Sequence, residues 1–243
     1  STATIATCLF KQGLRNQYMQ EVRPVKAGKT TMAGQAYTLR YIPAREDLNP
    51  IEVFKDPKHI QRVAVEECPE GFVLVIDSRK DARAASAGSI LATRLMIRGA
   101  AGIVTDGGFR DSAEIAELDF PSFHQRPSAP TNLTLHQAIS VNEPIGCGDV
   151  AVFPRDFIVG DDDGVMVIPA HLAEEVAEEC LQMTLFEEFV LEKVNEGQTI
   201  IGLYPPTDPK ILEDFEDWKK FGLKMRYDKR NPISLLRSDK KIE

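Results

Sequence analysis

The chain has 243 residues, of which 43% are hydrophobic and 27% are charged, a composition typical of globular proteins and not of disordered or fibrous ones. Its 29 Lys and Arg against 37 Asp and Glu give a formal net charge of −8. This charge argues against a broad surface for nucleic acid or anionic membranes, so we expect no direct DNA binding and no membrane association. A small anionic substrate held by one or two arginines is compatible with it.

The cysteines and histidines are scattered along the chain. Four cysteines form no CxxC pair, and four histidines form no HExxH motif. No apolar run reaches the roughly 18–20 residues of a membrane span, and the first residues lack the pattern of a secretory signal. We therefore expect a cytoplasmic protein with reduced cysteines and no zinc site made of protein ligands alone.

The first half of the chain predicts alternating helices and strands. Apolar periodicity predicts helices over 1–20, 57–67, 88–98 and 111–118, and strands over 35–42, 71–77, 102–106 and 120–124. The two buried strands at 71–77 and 102–106 flank the helix at 88–98. They predict a parallel βαβ unit with a right-handed crossover.

The second half is richer in strands and ends in helices. We expect strands over 145–153, 157–159 and 165–168, with a hairpin turn at 161–164, because Asp and Gly tolerate positive φ. Helices are expected over 171–195 and 211–221, separated by a break at 204–209. The fold class is therefore α/β, with a mixed sheet over residues 1–185 and a helical or extended C-terminal arm over 186–243.

The end of this arm is basic. Residues 219–243 hold nine Lys and Arg and three Asp and Glu, a local charge of +6. We expect this stretch to dock on an acidic neighbouring subunit; a contact with RNA is the alternative.

Two turns carry the residues with chemical potential. Gly88 opens a helix after a strand and leaves free backbone N–H groups over 88–91, which can bind a carboxylate or a phosphate. A second strand ends in Gly107-Gly108 and then presents Arg110 and Asp111. Ligands of open α/β sheets bind at the carboxyl ends of parallel strands, where both turns are expected.

Arg110 and Asp111 can act as a pair. An arginine binds a carboxylate bidentately, and an aspartate can hold Mg²⁺ together with water and substrate oxygens. Asp111 is also a good helix N-cap, and Glu114 three residues later completes a capping-box pattern. The two interpretations are compatible, since one carboxylate can cap a helix and bind a metal.

An ordered series of motifs resembles the RraA-like family, which includes the regulator of ribonuclease E activity and class II 4-hydroxy-4-methyl-2-oxoglutarate aldolases. The resemblance covers roughly residues 1–185. Its motifs are Gly-x-x-Leu-Ala-Thr at 88–93, Gly-Ile-Val-Thr-Asp-Gly-Gly-x-Arg-Asp-x-x-Glu at 102–114 and Glu-Leu-Asp-Phe-Pro at 117–121. Support continues with Gly-Gln-Ala-Tyr-Thr at 34–38, Gly-Asp-Val-Ala-Val at 148–152 and Gly-Asp-Asp-Asp-Gly-Val-Met-Val-Ile-Pro at 160–169.

The resemblance implies a swivelling-type β/β/α fold that assembles as a homotrimer or hexamer with sites at subunit interfaces. It further implies that Arg110 binds the pyruvoyl part of a 2-oxo acid and that Asp111 anchors Mg²⁺ or Mn²⁺, which makes these two the catalytic pair. The substrate-binding backbone amides would be those of Gly88, Ser89, Ile90 and Leu91.

The function implied is a metal-dependent lyase that releases pyruvate from a small 2-oxo acid by retro-aldol cleavage or decarboxylation. Ser89 departs from the aldolase pattern Asp-x20-Arg-Asp, and a hydroxyl is a poor general base. Candidate replacement bases are Asp77, Asp106, Glu114 and an acid from a neighbouring subunit. The alternatives are a non-catalytic regulator that binds a ribonuclease or another RNA-processing protein, and a sugar-acid lyase or hydratase with an altered base.

The loop over 123–132 is a further candidate for the site. His124 could move protons near neutral pH, and either His124 or Arg126 could recognise a second substrate carboxylate. The alternative is a loop whose polar groups satisfy its own backbone. His136, in an apolar stretch, is expected to be structural, and Cys147 to be a small buried side chain.

Overall fold

A computed structural model describes residues 1–28 and 30–230, with the last ten of these described by their backbone alone. The described residues form short 3-10 turns at Glu46–Leu48, Ile51–Lys55, Asn132–Thr134 and Ala170–Leu172, and the α-helices α1 (Thr2–Lys11), α2 (Ile60–Glu67), α3 (Ser89–Ile97), α4 (Ser112–Ala116), α5 (Ala173–Asn195) and α6 (Pro209–Arg230).

The strands build one large mixed sheet and two small ones. They are β1 (Arg23–Pro24), β2 (Met32–Pro43), β3 (Phe72–Asp77), β4 (Ala85–Ala87), β5 (Gly102–Thr105), β6 (Gly108–Phe109), β7 (Ser122–His124), β8 (Arg126–Pro127), β9 (His136–Val141), β10 (Ile145–Cys147), β11 (Val150–Val152), β12 (Phe157–Asp161) and β13 (Gly164–Ile168). The large sheet has the order β1-β7-β5-β3-β2-β12-β13, with β9 also paired to β2.

The predicted βαβ unit is confirmed. Strands β3 and β5 are parallel neighbours on either side of α3 in the sequence, and β2 and β7 extend the parallel part of the sheet. The remaining pairs of β2, with β9 and β12, are antiparallel, so the sheet is mixed as expected. The carboxyl ends of β3, β5 and β7 meet at one edge of this sheet.

The large sheet is buried on both faces. Along β3, Val73 and Val75 belong to one apolar cluster, while Leu74 and Ile76 belong to another. Successive side chains of a strand point to opposite faces, so each cluster covers one face. All four side chains are almost completely buried, and burial of such a residue contributes about 1.5–3 kcal/mol. The core thus fixes the edge at which the predicted site lies.

Two predicted elements are corrected by turns with positive φ. The first helix ends at Lys11, well before residue 20, because Gly13 adopts φ +85° and the Leu14 N–H returns to the Leu9 carbonyl at 2.9 Å. The strand expected over 145–153 is the hairpin β10–β11. Its turn residues Gly148 and Asp149 have φ of 56° and 66°, as a type I′ turn requires.

The packing divides the chain into two units, residues 1–177 and 178–243. The second has its own apolar cluster around Phe189, Leu203 and Phe215. Helix α6 continues to Arg230, beyond the predicted end at 221, and the rest of the basic stretch, 231–243, lies outside the described residues. Among the described helices, none is long and apolar enough to span a membrane.

Candidate functional site

A small parallel sheet brings the two predicted turns together. Strands β4 and β6 pair side by side, and the pairing continues as the Arg110 N–H donates to the Ala87 carbonyl at 3.0 Å. Gly88, the first residue after β4, therefore lies beside Arg110 and Asp111, which follow β6. Backbone pairing alone thus brings Gly88 and Arg110 together, although more than 20 residues separate them in the sequence.

The backbone of Asp111 is left-handed, with φ 54° and ψ 37°, a region that Asp tolerates better than most residues. Asp111 occupies the N-cap position of α4, yet its carboxylate makes no capping hydrogen bond there. Its Oδ2 instead accepts long hydrogen bonds from Ser89 N (3.3 Å) and Ser89 Oγ (3.4 Å) and lies 3.4 Å from Arg110 Nε. The predicted capping box with Glu114 is therefore wrong: the carboxylate is directed toward α3.

Gly88 leaves the space in which this arrangement forms. A Cβ at this position would lie 2.7 Å from Arg110 Cγ and 2.7 Å from Asp111 Oδ2. The backbone of Gly88 is extended, with φ −138° and ψ −175°, which any residue can adopt. Glycine is thus required here for the close approach of the Arg110–Asp111 pair.

A cavity of about 150 Å³ opens at this point, small enough to suit a small acid. Its lining combines predicted residues with residues that sequence reasoning missed. The predicted ones are Gly88, Ile90, Leu91, Arg110 and Asp111; the others are Phe54, Gln61, Arg62, Ala85, Ala87, Thr131 and Asn132. The one sequence clue to the missed set is the polar Gln61 within the amphipathic helix α2.

The candidate bases predicted from the sequence lie away from this cavity. Asp106 is buried, accepts backbone N–H bonds from Ser78 (2.7 Å), Lys80 (3.1 Å) and Gly148 (3.2 Å), and has its pKa raised to about 6 by burial. Burial also raises the pKa of Asp77, and Glu114 is exposed on α4. Among the described lining residues, Asp111 is the one acid.

Of the loop predicted over 123–132, the last residues line the cavity and the first do not. His124 is 6% exposed and stacks on Phe109 with ring centroids 5.5 Å apart; burial lowers its pKa to about 4, so it is neutral at pH 7. Arg126 is exposed in β8. Neither lines the cavity, whereas Thr131 and Asn132 of the same loop do.

The predictions for the two structural side chains are confirmed. His136 is fully buried, with Nδ1 3.2 Å from an Arg79 Nη and Nε2 3.3 Å from the Ala84 carbonyl. Cys147 is fully buried, and its Sγ lies 3.7 Å from the Ile76 carbonyl.

The oxygen atoms at the cavity fit a loosely held divalent ion. The Asp111 side chain is 35% exposed, and its Oδ1 has no hydrogen-bond partner in the described part of the chain. Mg²⁺ often binds through one or two carboxylates, completed by water and substrate oxygens. No group of three or more His, Cys, Asp or Glu side chains suited to a metal is found among the described residues. A protein cage is therefore not formed there, and an ion would share its ligands with the substrate.

Residues 2–167 match the model of the RraA-like family, which is described as Aldolase/RraA. The chain belongs to the RraA-like family. The resemblance seen in its motifs is confirmed, and so is the expected α/β fold with a mixed sheet and a helical C-terminal extension. A crystal structure of Streptomyces coelicolor RraAS2, described as an unusual member of the RNase ES inhibitor RraA protein family, has a TM-score of 0.68 and 28% identity over 78% of this chain and 90% of that one.

Two curated relatives align with different parts of the chain. A protein of Halalkalibacterium halodurans, named as a candidate 4-hydroxy-4-methyl-2-oxoglutarate aldolase, is 33% identical over 141 residues, 58% of this chain and 67% of the relative. Protein DlpA of Legionella pneumophila is 24% identical over 206 residues, 82% of this chain. The chain spans 31% of the length of DlpA.

Proposed function

We propose that this protein is a divalent-metal-dependent lyase that cleaves a carbon–carbon bond of a small 2-oxo acid and releases pyruvate. One observation carries the proposal: Arg110 and Asp111 lie in the same cavity as the N-terminus of α3. A cationic fork, a carboxylate and backbone donors are the groups that a 2-oxo acid and a divalent ion require. The aldolase name of a relative of 33% identity supports the same reaction class.

The chain's own residues bind the substrate and stabilise the charge that develops during cleavage. The Arg110 guanidinium binds the carboxylate next to the keto group. The N–H of Ile90 at the first turn of α3, which has no partner among the described residues, offers a further donor. Donors bound next to the keto group would stabilise the negative charge that develops as the bond breaks and an enolate forms. A divalent ion held by Asp111, Mg²⁺ or Mn²⁺, supplies Lewis-acid polarisation of the keto group when it is bound.

Ser89 affects the two possible cleavages differently. Retro-aldol cleavage requires a base that removes the proton of the 4-hydroxyl group, and Ser89 offers only a hydroxyl at the position of the family acid. Decarboxylation of a β-keto acid needs no base: CO2 leaves, the electron pair of the bond remains as the enolate, and water protonates C3. The described cavity therefore supports decarboxylation with fewer groups than retro-aldol cleavage.

The test measures pyruvate released from oxaloacetate and from 4-hydroxy-4-methyl-2-oxoglutarate, with Mg²⁺, with Mn²⁺ and with a chelator. We expect activity to require the metal and to fall by about 10²–10³ in Arg110→Met and Asp111→Asn, the loss typical for removing one stabilising group. Arg126→Met, an exposed arginine outside the cavity, serves as the matched control. Full activity in both site variants would contradict the proposal.

The serine itself gives a second test. In Ser89→Asp the added carboxylate lies beside Asp111 and can act as a base, so retro-aldol cleavage should rise relative to decarboxylation. The measurement is the ratio of kcat/KM for the two substrates. An unchanged ratio would show that Ser89 does not govern the choice between them.

A non-catalytic regulator of a ribonuclease is the second candidate function, and Ser89 is the observation that favours it. The likeness to RraAS2 at 28% identity supports it as well. This role predicts binding to an RNA-processing protein that needs no metal and persists in Asp111→Asn. The measurement is affinity capture with a purified ribonuclease E-type enzyme, and no complex at micromolar concentrations would argue against the role.

A further inference from the structure

We propose that Arg62 and Asn132 bind a second substrate carboxylate, so that the site selects 2-oxo acids that carry two carboxylates. This inference rests on the proposed function, because it takes Arg110 as the partner of the first carboxylate. It concerns other residues that line the same cavity, from α2 and from the turn at Asn132–Thr134.

Arg62 supplies a cation that no acid neutralises. Its guanidinium carbon lies 4.5 Å from the centroid of the Phe54 ring, a cation–π contact that holds the side chain at the cavity wall. In the described part of the chain its guanidinium forms no ion pair or hydrogen bond. The acid one turn later on the same helix, Glu66, is paired with Arg94 at 2.8 Å and lies 3.8 Å from Arg98.

Asn132 supplies a buried polar group that lacks a partner. Its side chain is 5% exposed, and its Nδ2 has no hydrogen-bond partner among the described residues, while Oδ1 accepts from Thr131 Oγ1 at 3.3 Å. If the amide were turned over, Oδ1 would be the unpaired atom, so one polar atom is unpaired in either orientation. A buried unpaired donor destabilises the protein, and a carboxylate oxygen in the cavity would satisfy it.

Gln61 adds an acceptor with a fixed orientation. Its Nε2 donates to the Ser86 carbonyl at 2.8 Å and to Tyr41 Oη at 3.0 Å. Since a carbonyl can only accept, the nitrogen must face Ser86, which leaves Oε1 as the free atom of this cavity-lining amide. A substrate hydroxyl near the second carboxylate is the complementary donor.

The charges and the chemistry define which carboxylate is held. The described lining residues include two guanidinium groups, those of Arg62 and Arg110, and one carboxylate, that of Asp111. This excess of positive charge suits a dianion. Arg62 can hold the second carboxylate throughout retro-aldol cleavage, because that group stays in the product. In oxaloacetate the second carboxylate is the one that leaves as CO2, and an arginine that stabilises its charge opposes that step.

The test compares two unreactive ligands of equal chain length on the full chain with Mg²⁺. These are 2-oxoglutarate, which has the second carboxylate, and 2-oxopentanoate, which lacks it; calorimetric titration gives both affinities. We expect 2-oxoglutarate to bind at least about tenfold more tightly, as one charge-assisted hydrogen bond provides. Arg62→Met should abolish this preference and leave binding of 2-oxopentanoate unchanged.

Two further variants sharpen the result. Asn132→Asp has the same shape but places a negative charge beside the second carboxylate, so it should weaken binding of 2-oxoglutarate alone; it decides the matter if Arg62→Met does not fold. Arg126→Met is the matched control and should keep the preference. A wild-type protein that binds both acids equally, or a preference that survives in Arg62→Met and Asn132→Asp, would overturn the inference.

The outcomes also separate this inference from the proposed function. Binding of both acids that depends on Arg110 but shows no preference overturns the role of Arg62 and Asn132 and leaves the lyase proposal standing. Failure of both acids to bind the wild-type protein overturns the two together.

Discussion

At the scale of single residues, the site depends on the lack of a side chain at Gly88. Gly88 lets the Arg110 and Asp111 side chains approach the first turn of α3, and its extended backbone demands no glycine. Glycine is therefore needed at this position for the space it leaves and not for its backbone conformation. A substitution can disturb the site without straining the fold.

We expect Gly88→Ala to lower pyruvate formation by about tenfold or more, because a 1 Å displacement of a catalytic group can cost about 10² in rate. The melting temperature should change little, since the backbone suits alanine. Gly146→Ala is the matched control: it lies in β10, and a Cβ there would meet nothing within 4 Å. Equal losses of activity in the two variants would argue against the proposed site.

Asp106 predicts a pH dependence of stability. Burial raises its pKa from 3.8 to about 6 in the folded protein, so between about pH 4 and 6 the folded state binds more protons than the unfolded one, and this carboxyl lowers stability as the pH rises. Asp106→Asn removes the titration. The difference in free energy of unfolding between wild type and variant should change by up to about 3 kcal/mol across this range. Chemical denaturation at several pH values measures it, and a constant difference contradicts the pKa.

At the scale of elements, the sequence predicted the strands and helices whose own residues show an apolar periodicity. Strands β3 and β5 are short apolar runs, and the helical spacing of α3 lies between them, so local residues alone determine the βαβ unit. Strands β4, β6 and β8 have two or three residues each and exist only because they pair with one another. Such pairing depends on the tertiary structure, and strands this short show no periodicity in the sequence.

The same reason limits the prediction of the site. Arg110 and Asp111 belong to a motif with recognisable order, whereas Gln61 and Arg62 reach the cavity because α2 packs beside β4 and α3 in the fold. The polar Gln61 is the one local clue in α2, and nothing in that sequence marks Arg62 as functional. The unexpected direction of the Asp111 carboxylate likewise follows from a left-handed backbone that the capping-box pattern does not reveal.

The attachment of α1 gives a prediction at this scale. The Asp161 carboxylate in the β12–β13 hairpin accepts hydrogen bonds from Thr2 N and Thr2 Oγ1, both at 2.7 Å. Burial works to raise the pKa of Asp161, but these hydrogen bonds outweigh it and the pKa is lowered. The carboxylate thus stabilises the fold above its unfolded pKa, and this contribution is lost as the pH falls through the folded pKa.

We expect Asp161→Asn to cost about 1.5–3 kcal/mol of unfolding free energy at pH 7, the value for hydrogen bonds to a charged group. The cost should shrink below pH 4. Asp163→Asn is the control, because that exposed carboxylate accepts no hydrogen bond in the described part of the chain. A cost that is independent of pH would contradict the role given to the charge.

At the scale of the whole molecule, the two units have separate cores. The single tryptophan of the chain, Trp218, belongs to the second unit, where it stacks near Phe215 with ring centroids 6.2 Å apart and donates to Glu192 at 2.9 Å. Its fluorescence therefore reports on residues 178–243 and not on the sheet.

Phe215→Ala should destabilise the second unit by about 3–5 kcal/mol, as is usual for a buried phenylalanine. Hydrogen exchange measured by mass spectrometry should rise in peptides from 185–220 and stay unchanged in β3 and β5. An equal rise in both sets would mean that the chain unfolds as one cooperative unit.

Five stretches of chain between residues 54 and 132 line the cavity, and this has a kinetic consequence. Its groups meet only when non-local pairs such as β4 with β6 have formed, and contacts distant in sequence form slowly. During refolding from denaturant, far-UV ellipticity should return before binding of a 2-oxo acid. The recovery of ligand binding would then report the last step of folding, in which the cavity forms, and not the earlier collapse of the chain.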